Sequence, residues 1–479
     1  KDGKIATNQD LPALIELSEK LEKFRQRTHK LPDMPKEFVL DTIVYKKINP
    51  ENLPLVLGRA NHKTHVKYTT KDLIDGVNRA MGTNLFEEIT YSYFIKDEDK
   101  LGITLFGFER AKNQLNTSIH YDTYRGVGII FNYTGRNVLA DASRLLITAD
   151  IAEQPKARIN YQKNFGGHRE WWWMTEGYGA FLRQEIYING KASDNMLYNA
   201  FEFNNEINRN LNSLKSYFGF GLNYHYTHVK PKYDREYNPN SISINDYNFH
   251  SIEFNMHYSY NDMDKVYFAT NGTIIKSNIA RSFLADIKAT FSDPDLTSIS
   301  GSTNNYTKFG LTFEKRARLK KKVTGIIGFD SYFIFQDKLK EDQISFSEFG
   351  YASKYFLGGI IPSSGSNRFS FAGLHEDELN VTQYMGIKLG SQVNLFGKIY
   401  LTPHFNIATV GFGTFDNYIN HAFNPKGNWD ENIEPSLVMS GGAAVSYESI
   451  LGPIHFDTTY INNIDKVRLF FSGGLSLNP

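Results

Sequence analysis

Hydrophobic residues along this chain follow three different rhythms. From Asp10 to Leu31 they recur at helical spacing, with Leu11, Leu14, Leu17, Leu21 and Phe24 on one face and charged residues on the other. Asp10 can cap the start and Pro12 fits the first turn, so the pattern predicts an amphipathic helix, followed by a Pro-bearing linker from Leu31 to Pro35. Its apolar stripe needs cover. Either residues 1–35 dock on the next domain, or they are the tail of a domain outside these residues.

Residues 36–111 change register. The stretch Phe38 to Tyr45 alternates as a strand. Two short helical stretches follow, near Asn52–Gly58 and Thr70–Met81, the second with Thr70 as its expected N-cap. The runs Phe86–Phe94 and Leu101–Phe108 then read as a hairpin. The predicted order is β-α-α-β-β, a unit large enough for a small core of its own.

Residues 112–479 read as strand after strand. Between Tyr217 and His228, Phe218, Phe220, Leu222, Tyr224 and Tyr226 share one face, and Gly219, Gly221, Asn223, His225 and Thr227 the other. In Ser251–Tyr260, Ile252, Phe254, Met256, Tyr258 and Tyr260 oppose Glu253, Asn255, His257 and Ser259. From Val381 to Leu395, Val381, Met385, Ile387, Leu389, Val393 and Leu395 oppose Thr382, Lys388 and Gln392. In the last segment, Val467, Leu469, Phe471, Leu475 and Leu477 oppose Arg468, Ser472 and Ser476. Charged and amide side chains on one face mean that this face meets water. The apolar face repeats too often to be covered by one soluble core. Roughly sixteen such strands predict an antiparallel transmembrane β-barrel. Closure leaves no unpaired edge, as lipid demands. A propeller would repeat every 40–50 residues or so, and no such period is present. Trp171, Trp172 and Trp173 are read as part of an interfacial aromatic girdle.

Composition fits this pattern. The 479 residues include 29 Tyr and 36 Phe, which suits strands with one greasy face. Mean hydropathy is -0.42, but alternation hides apolar residues from an average. A net charge of +1 argues against a nucleic-acid partner. With no cysteine, disulfides and thiolate-held metals are excluded.

The β-α-α-β-β unit resembles a POTRA domain, on the stretch Ala80-Met-Gly-Thr-Asn-Leu-Phe-Glu-Glu-Ile-Thr-Tyr91. One such unit before a barrel is similar to the superfamily of barrel-assembly, two-partner-secretion and bacterial surface antigen proteins. Ala269-Thr-Asn-Gly-Thr-Ile-Ile-Lys276 resembles its "P-x-x-G" strand start, with Ala269 in the proline place and Gly272 in the glycine place. Gly452 to Leu477 is similar to its last two strands. Residues 355–378, between strands eleven and twelve, fall where the superfamily folds a sixth loop back into the lumen. The loop tip, Phe371-Ala372-Gly373-Leu374, departs from the superfamily's Val-Arg-Gly-Phe/Tyr: Ala372 takes the arginine place. In Phe405-Asn-Ile-Ala-Thr409, Ile407 takes the place of the partner acid, facing the loop tip. Joint loss is physically consistent, because one charge left alone inside would be costly. One POTRA unit with this tip looks most like the C-terminal half of outer-membrane patatin-like phospholipases. That resemblance implies a Gram-negative outer-membrane location, with the POTRA unit in the periplasm. The implied task is to anchor or translocate a patatin-like domain absent from these residues. Implied partners are outer-membrane lipids, that domain, and other envelope proteins through the POTRA unit. An assembly or insertion factor for proteins or lipids is the alternative.

Chemistry is sparse. No Gly-x-Ser-x-Gly turn is present; Ser364-Gly365-Ser366 is the nearest cluster and reads as a turn, so no catalytic residue is assigned. His225 and His228 sit on opposite faces of a strand, and His62 and His65 lie in a polar loop. No metal or cofactor site is therefore assigned. Lys315 to Lys322 is the densest basic run, read as a solvated turn or a contact for lipid phosphates. Gly358, Gly359 and Gly373 are expected to permit the tight path of the sixth loop.

Overall fold

Leu11–Glu22 form helix α1 in the computed structural model. The structure describes residues 10–22, 37–83, 85–97, 100–188, 190–211, 215–232, 244–292, 298–344, 354–360, 367–432, 434–464 and 466–474. Phe24 and the linker lie outside these. Leu11, Leu14, Leu17 and Leu21 are 46–57% exposed. Among the described residues, the stripe therefore does not dock on the next domain.

That next unit comprises β1 (Phe38–Lys46), α2 (Leu53–Ala60), β2 (Val66–Tyr68), α3 (Thr70–Met81), β3 (Phe86–Asp97) and β4 (Lys100–Glu109). The sheet runs β2-β1-β4-β3, with β1 and β4 parallel and the other pairs antiparallel. The three-residue strand β2 adds an edge that the alternation was too short to signal. The cap of α3 is Thr69, one residue before the expected Thr70. Its Oγ1 accepts from the Asp72 N–H at 3.2 Å, and Asp72 accepts the Thr69 N–H at 2.9 Å. Arg79 on α3 caps α2 in turn, donating to the carbonyls of Arg59 at 3.0 Å and Ala60 at 2.8 Å. Leu40, Leu73, Ile103 and Leu105 fill the core.

The barrel strands are β5 (Asn113–Asp122), β6 (Gly126–Arg136), β7 (Ser143–Ile151), β8 (Lys156–Phe165), β9 (Trp171–Ile188), β10 (Lys191–Asn210), β11 (Ser216–Pro231) and β12 (Ile244–Asn261). After them come β13 (Gly272–Phe291), β14 (Ser298–Ser302), β15 (Tyr306–Lys320) and β16 (Val323–Gln336). Three short strands of the next loop are β17 (Tyr355–Leu357), β18 (Arg368–Phe369) and β19 (Leu379–Val381). The wall closes with β20 (Gln383–Phe396), β21 (Ile399–Gly411), β22 (Ser436–Ser449), β23 (Gly452–Ile461) and β24 (Lys466–Gly474). β14 pairs with β13 beyond the end of β15 and continues its rung, so the closed antiparallel barrel has 16 strands.

The two faces sort as the alternation predicts. Phe220, Leu222, Phe254, Met256, Ile387, Leu389, Val467 and Leu469 are exposed on the outside. Glu253, Asn255, His225 and Thr227 are buried inside. Val381 breaks the pattern: it belongs to the small loop sheet and packs in the lumen, because the chain changes face at Thr382 before β20 begins. Leu475 and Leu477 lie outside the described residues.

The first unit rests on one end of the barrel, the end where β5 begins. Asn137 donates to Asn52 at 2.6 Å, and Arg59 to the Arg169 carbonyl at 3.5 Å. Ala142, between β6 and β7, completes the cluster of Leu55, Val56, Ala80 and Phe86.

Candidate functional site

Segments of the chain enter the lumen from both ends of the barrel. At the far end, between β16 and β20, the described residues 354–360 and 367–382 fold inward as the sixth loop on that side. Strands β17, β18 and β19 form a three-stranded sheet there, with β17 parallel to β18 and antiparallel to β19. Phe371 and Leu374 are 1% and 2% exposed and pack with Leu357 and Leu379 against inward residues of the wall, among them Tyr306, Tyr332, Tyr384 and Val438. Ala372 is partly buried between them. Gly373 has φ +94°, and a Cβ there would lie 3.1 Å from Thr459 and 3.3 Å from Ser440, so its backbone lies flat on β22 and β23. The expected need for glycine at 358, 359 and 373 is met by positive φ at all three.

The expected partner of the tip is not where spacing put it. Ile407 pairs with Ile387 and Met439, on the outward face with Phe405. The inward residues are Asn406 and Ala408; Asn406 bonds Ser440, which borders Gly373. Slipping one residue along a strand exchanges faces, and the motif match carried that slip.

A charged lock is nonetheless present, with its polarity reversed. The loop supplies carboxylates in the run His375-Glu376-Asp377-Glu378, and the wall supplies cations. Glu376 accepts from Arg125 Nε at 2.8 Å, with Arg125 Nη2 at 2.7 Å. Glu378 pairs with Arg468 on β24 through both terminal guanidinium nitrogens, Nη2 at 3.1 Å. Arg468 also donates to the Gly373 carbonyl at 2.8 Å. Asp377 pairs with Arg368 inside the loop, and Gln184 on β9 donates to the Asp377 carbonyl at 3.2 Å. The missing arginine at 372 had suggested that no lock exists. The acidic run before β19 and an arginine on the inward face of the last strand were the signals for this one.

These anchors straddle the barrel's closure. Arg125 follows β5 and Arg468 lies on β24. Among the described residues, β5 and β24 share three paired positions, Ser472 with Asp122, Gly473 with Tyr121 and Gly474 with His120. Gly474 has φ +99°, and a Cβ there would meet the Ile119 carbonyl at 2.2 Å. Tyr124 packs tilted on Phe470 at 5.5 Å and meets His375 edge-on at 5.6 Å, so loop and seam pack together.

His375 is wedged between Tyr124 and Tyr187, the latter stacked at 4.8 Å, and its Nδ1 has no hydrogen-bond partner. Burial and the Arg468 charge push its pKa down to about 4, with Glu185 opposing and Lys466 assisting. An unfolded His titrates near 6.5 or so. Between these values the released loop binds more protons than the docked one, so docking weakens as pH falls from about 6.5 towards 4. Glu378, raised by burial despite Arg468, works in the opposite sense. Conductance of single barrels in a planar bilayer should therefore rise on acidification, and His375→Gln should flatten that rise. An unchanged profile in His375→Gln would assign the effect elsewhere.

At the end beneath the first unit, the β12–β13 turn folds inward. Asp264 accepts the Thr270 N–H at 2.8 Å and Asp262 the Thr273 N–H at 2.5 Å. Phe268 is buried and stacks on Tyr400 at 4.5 Å. Gly272, with φ +139°, allows this: a Cβ there would lie 2.5 Å from Met263 Cα. The resemblance had marked Gly272 as a strand start, without showing that the turn before it enters the lumen.

The three tryptophans divide. Alternation sends Trp171 and Trp173 outward, where Arg209 lies over Trp171 at 5.2 Å and Trp173 donates to Asn205 at 3.0 Å. Trp172 opposes the buried Asn208 and faces inward, so it is no part of an outer girdle. Lys315 to Lys322 ends β15 and turns towards β16 at the first unit's end. There Arg316 bonds Glu314 at 2.6 Å and Arg318 bonds Thr270 at 2.8 Å. His225 faces Glu253 inside and His228 faces Asn248. Ser364-Gly365-Ser366 lies outside the described residues.

No family model matches this chain, and no curated protein does. Solved structures do resemble it. BamA from Haemophilus ducreyi lacking POTRA domains 1–3 aligns over 91% of this chain and 84% of its own, with TM-score 0.59 and 14% identity. CdiB from Acinetobacter baumannii aligns over 91% and 74%, with TM-score 0.54 and 10% identity. CdiB from Escherichia coli aligns over 91% and 76%, with TM-score 0.52 and 8% identity. These likenesses establish the fold.

Proposed function

We propose that this chain is an outer-membrane barrel that passes or holds a polypeptide, with residues 36–111 as a periplasmic POTRA domain. The passenger is a patatin-like phospholipase domain carried outside these residues. The observation carrying the reading is the loop clasp at the barrel's closure, where Glu376 holds Arg125 after β5 and Glu378 holds Arg468 on β24. A passive pore has no use for a clasp at its closure. The outward apolar band supports insertion in lipid. The order and sheet of the first unit support the POTRA reading, as does alignment over more of the chain than the barrel alone supplies. The uncovered stripe of α1 supports a further domain packed against it.

One observation favours a second reading, an assembly factor for other barrel proteins. Strand β3 is an edge of its sheet, with Tyr91, Tyr93 and Phe94 exposed, and could accept a client strand by pairing.

Because the chain has no cysteine, one engineered pair reports cleanly. Tyr121→Cys with Gly473→Cys places thiols at paired seam positions. In cells, oxidation should abolish surface exposure of the passenger, read by protease access, and reduction should restore it. If client barrels fail to mature instead, the assembly reading gains. If neither changes, the seam is not the working part.

A further inference from the structure

The tip of the inward β12–β13 turn holds an aromatic ring at a backbone angle where rings are rare. Phe268 has φ +51°, in the left-handed region that bulky L residues seldom adopt. It is 8% exposed and lies on Tyr400 of β21 at 4.5 Å, with the two rings 7° from parallel. It also meets His455 of β23 at 5.7 Å. The stem of the turn does not require this. Asp264 accepts the Thr270 N–H at 2.8 Å and the Asn271 N–H at 3.2 Å, and its own N–H donates to the Asn271 carbonyl at 3.0 Å. The stem is thus a closed hairpin whatever the tip does. Strain kept at such a tip points to a use for it.

The wall reads more than the ring. Gln392 of β20 donates to the Phe268 carbonyl at 3.4 Å, and Arg316 of β15 to the Ala269 carbonyl at 3.4 Å. Both are longer than the usual N–H···O distance, so they retain the tip only weakly. A ring followed by two backbone carbonyls is what an extended peptide with an aromatic residue presents. Phe268 and His455 also border a cavity of about 360 Å³, with Ile274, Ile326 and Ala444 in its lining, so there is room beside the ring for a further apolar side chain. We propose that Tyr400, His455, Gln392 and Arg316 form a receptor site for an aromatic residue of an extended polypeptide entering from the first unit's end. Phe268 fills the site as an internal stand-in until the polypeptide displaces the turn. Displacement relieves the strain at Phe268 and clears the mouth in one step. This rests on the reading of the lumen as a path for polypeptide, and it names what that path first recognises.

The full chain in detergent is titrated with a dye-tagged peptide, Ser-Gly-Phe-Ala-Gly-Ser, and with a second peptide carrying Leu for Phe. Phe268→Gly empties the ring site and puts the residue suited to positive φ at the tip, so the fold should hold. It should bind the Phe peptide about tenfold or more tighter than wild type, read by fluorescence anisotropy, because no internal ring competes. The Leu peptide should bind weakly to both, and adding Tyr400→Leu should remove the gain. A second measurement follows displacement in the otherwise wild-type chain. Ala269→Cys adds a single thiol at a position 4% exposed, in a chain without cysteine. The Phe peptide should speed its reaction with a maleimide, and the Leu peptide should not. The site is overturned if Phe268→Gly gains no affinity or, should that variant not fold, if the Ala269→Cys rate ignores the Phe peptide. Peptide binding without any effect of the seam disulfide on the passenger keeps the site and sinks the passage reading. A seam effect without peptide binding does the reverse.

Discussion

Arg468→Met should unseat the sixth loop. The substitution keeps an unbranched stem but removes the partner of Glu378, whose side chain is 2% exposed. Breaking a buried pair from one side costs about 3–5 kcal/mol, because the other charge is stranded. The loop also loses the bond from Arg468 to the Gly373 carbonyl at its tip. Glu378 can escape by leaving the lumen, taking the tip with it. The expected results are a large rise in open-state conductance and a lower temperature for the shift between folded and unfolded bands on a gel. The double variant Arg468→Met with Glu378→Met should recover much of the closed state, since apolar side chains of similar volume replace a buried pair at little cost. If single and double variants behave alike, the coupling between loop and seam is not electrostatic.

Gly358→Ala should act with similar force from another direction. Its φ is +149°, which an L side chain rarely adopts, and a Cβ there would lie 1.9 Å from the His375 carbonyl oxygen. The obstacle is backbone, so no side chain can swing aside. Strain of this sort costs about 1–3 kcal/mol before the overlap is counted. Gly358 follows β17, and His375 begins the acidic run, so relief must part the two halves of the loop sheet. Limited proteolysis should cut within residues 354–378 much faster than in wild type. Gly177→Ala is the control: nothing lies within 4 Å of a Cβ there, and it should be silent. Equal protease resistance in Gly358→Ala and wild type would contradict the docked loop.

Alternation alone determined a good part of this protein. One face of each strand is apolar and the other polar because side chains alternate across a one-layer wall, and that constraint is written at every second residue. Helix α3 was legible within one residue because its apolar spacing and capping chemistry are local. What spacing could not supply was anything decided across the lumen. Ile407 was set on the inner face by a motif match, and the strand register placed it outside. Trp172 was grouped with its neighbours, though a strand must send it the other way. The lock is not legible in the chain because Glu376, Glu378, Arg125 and Arg468 come together only when β5 meets β24 and a loop folds between them. The inward β12–β13 turn is hidden for the same reason, since Phe268 finds Tyr400 only across the barrel. Which elements form and which face of each is polar are nearest-neighbour properties, so they can be read along the chain. Which charges are paired depends on closure of the whole ring, so only the folded barrel settles it.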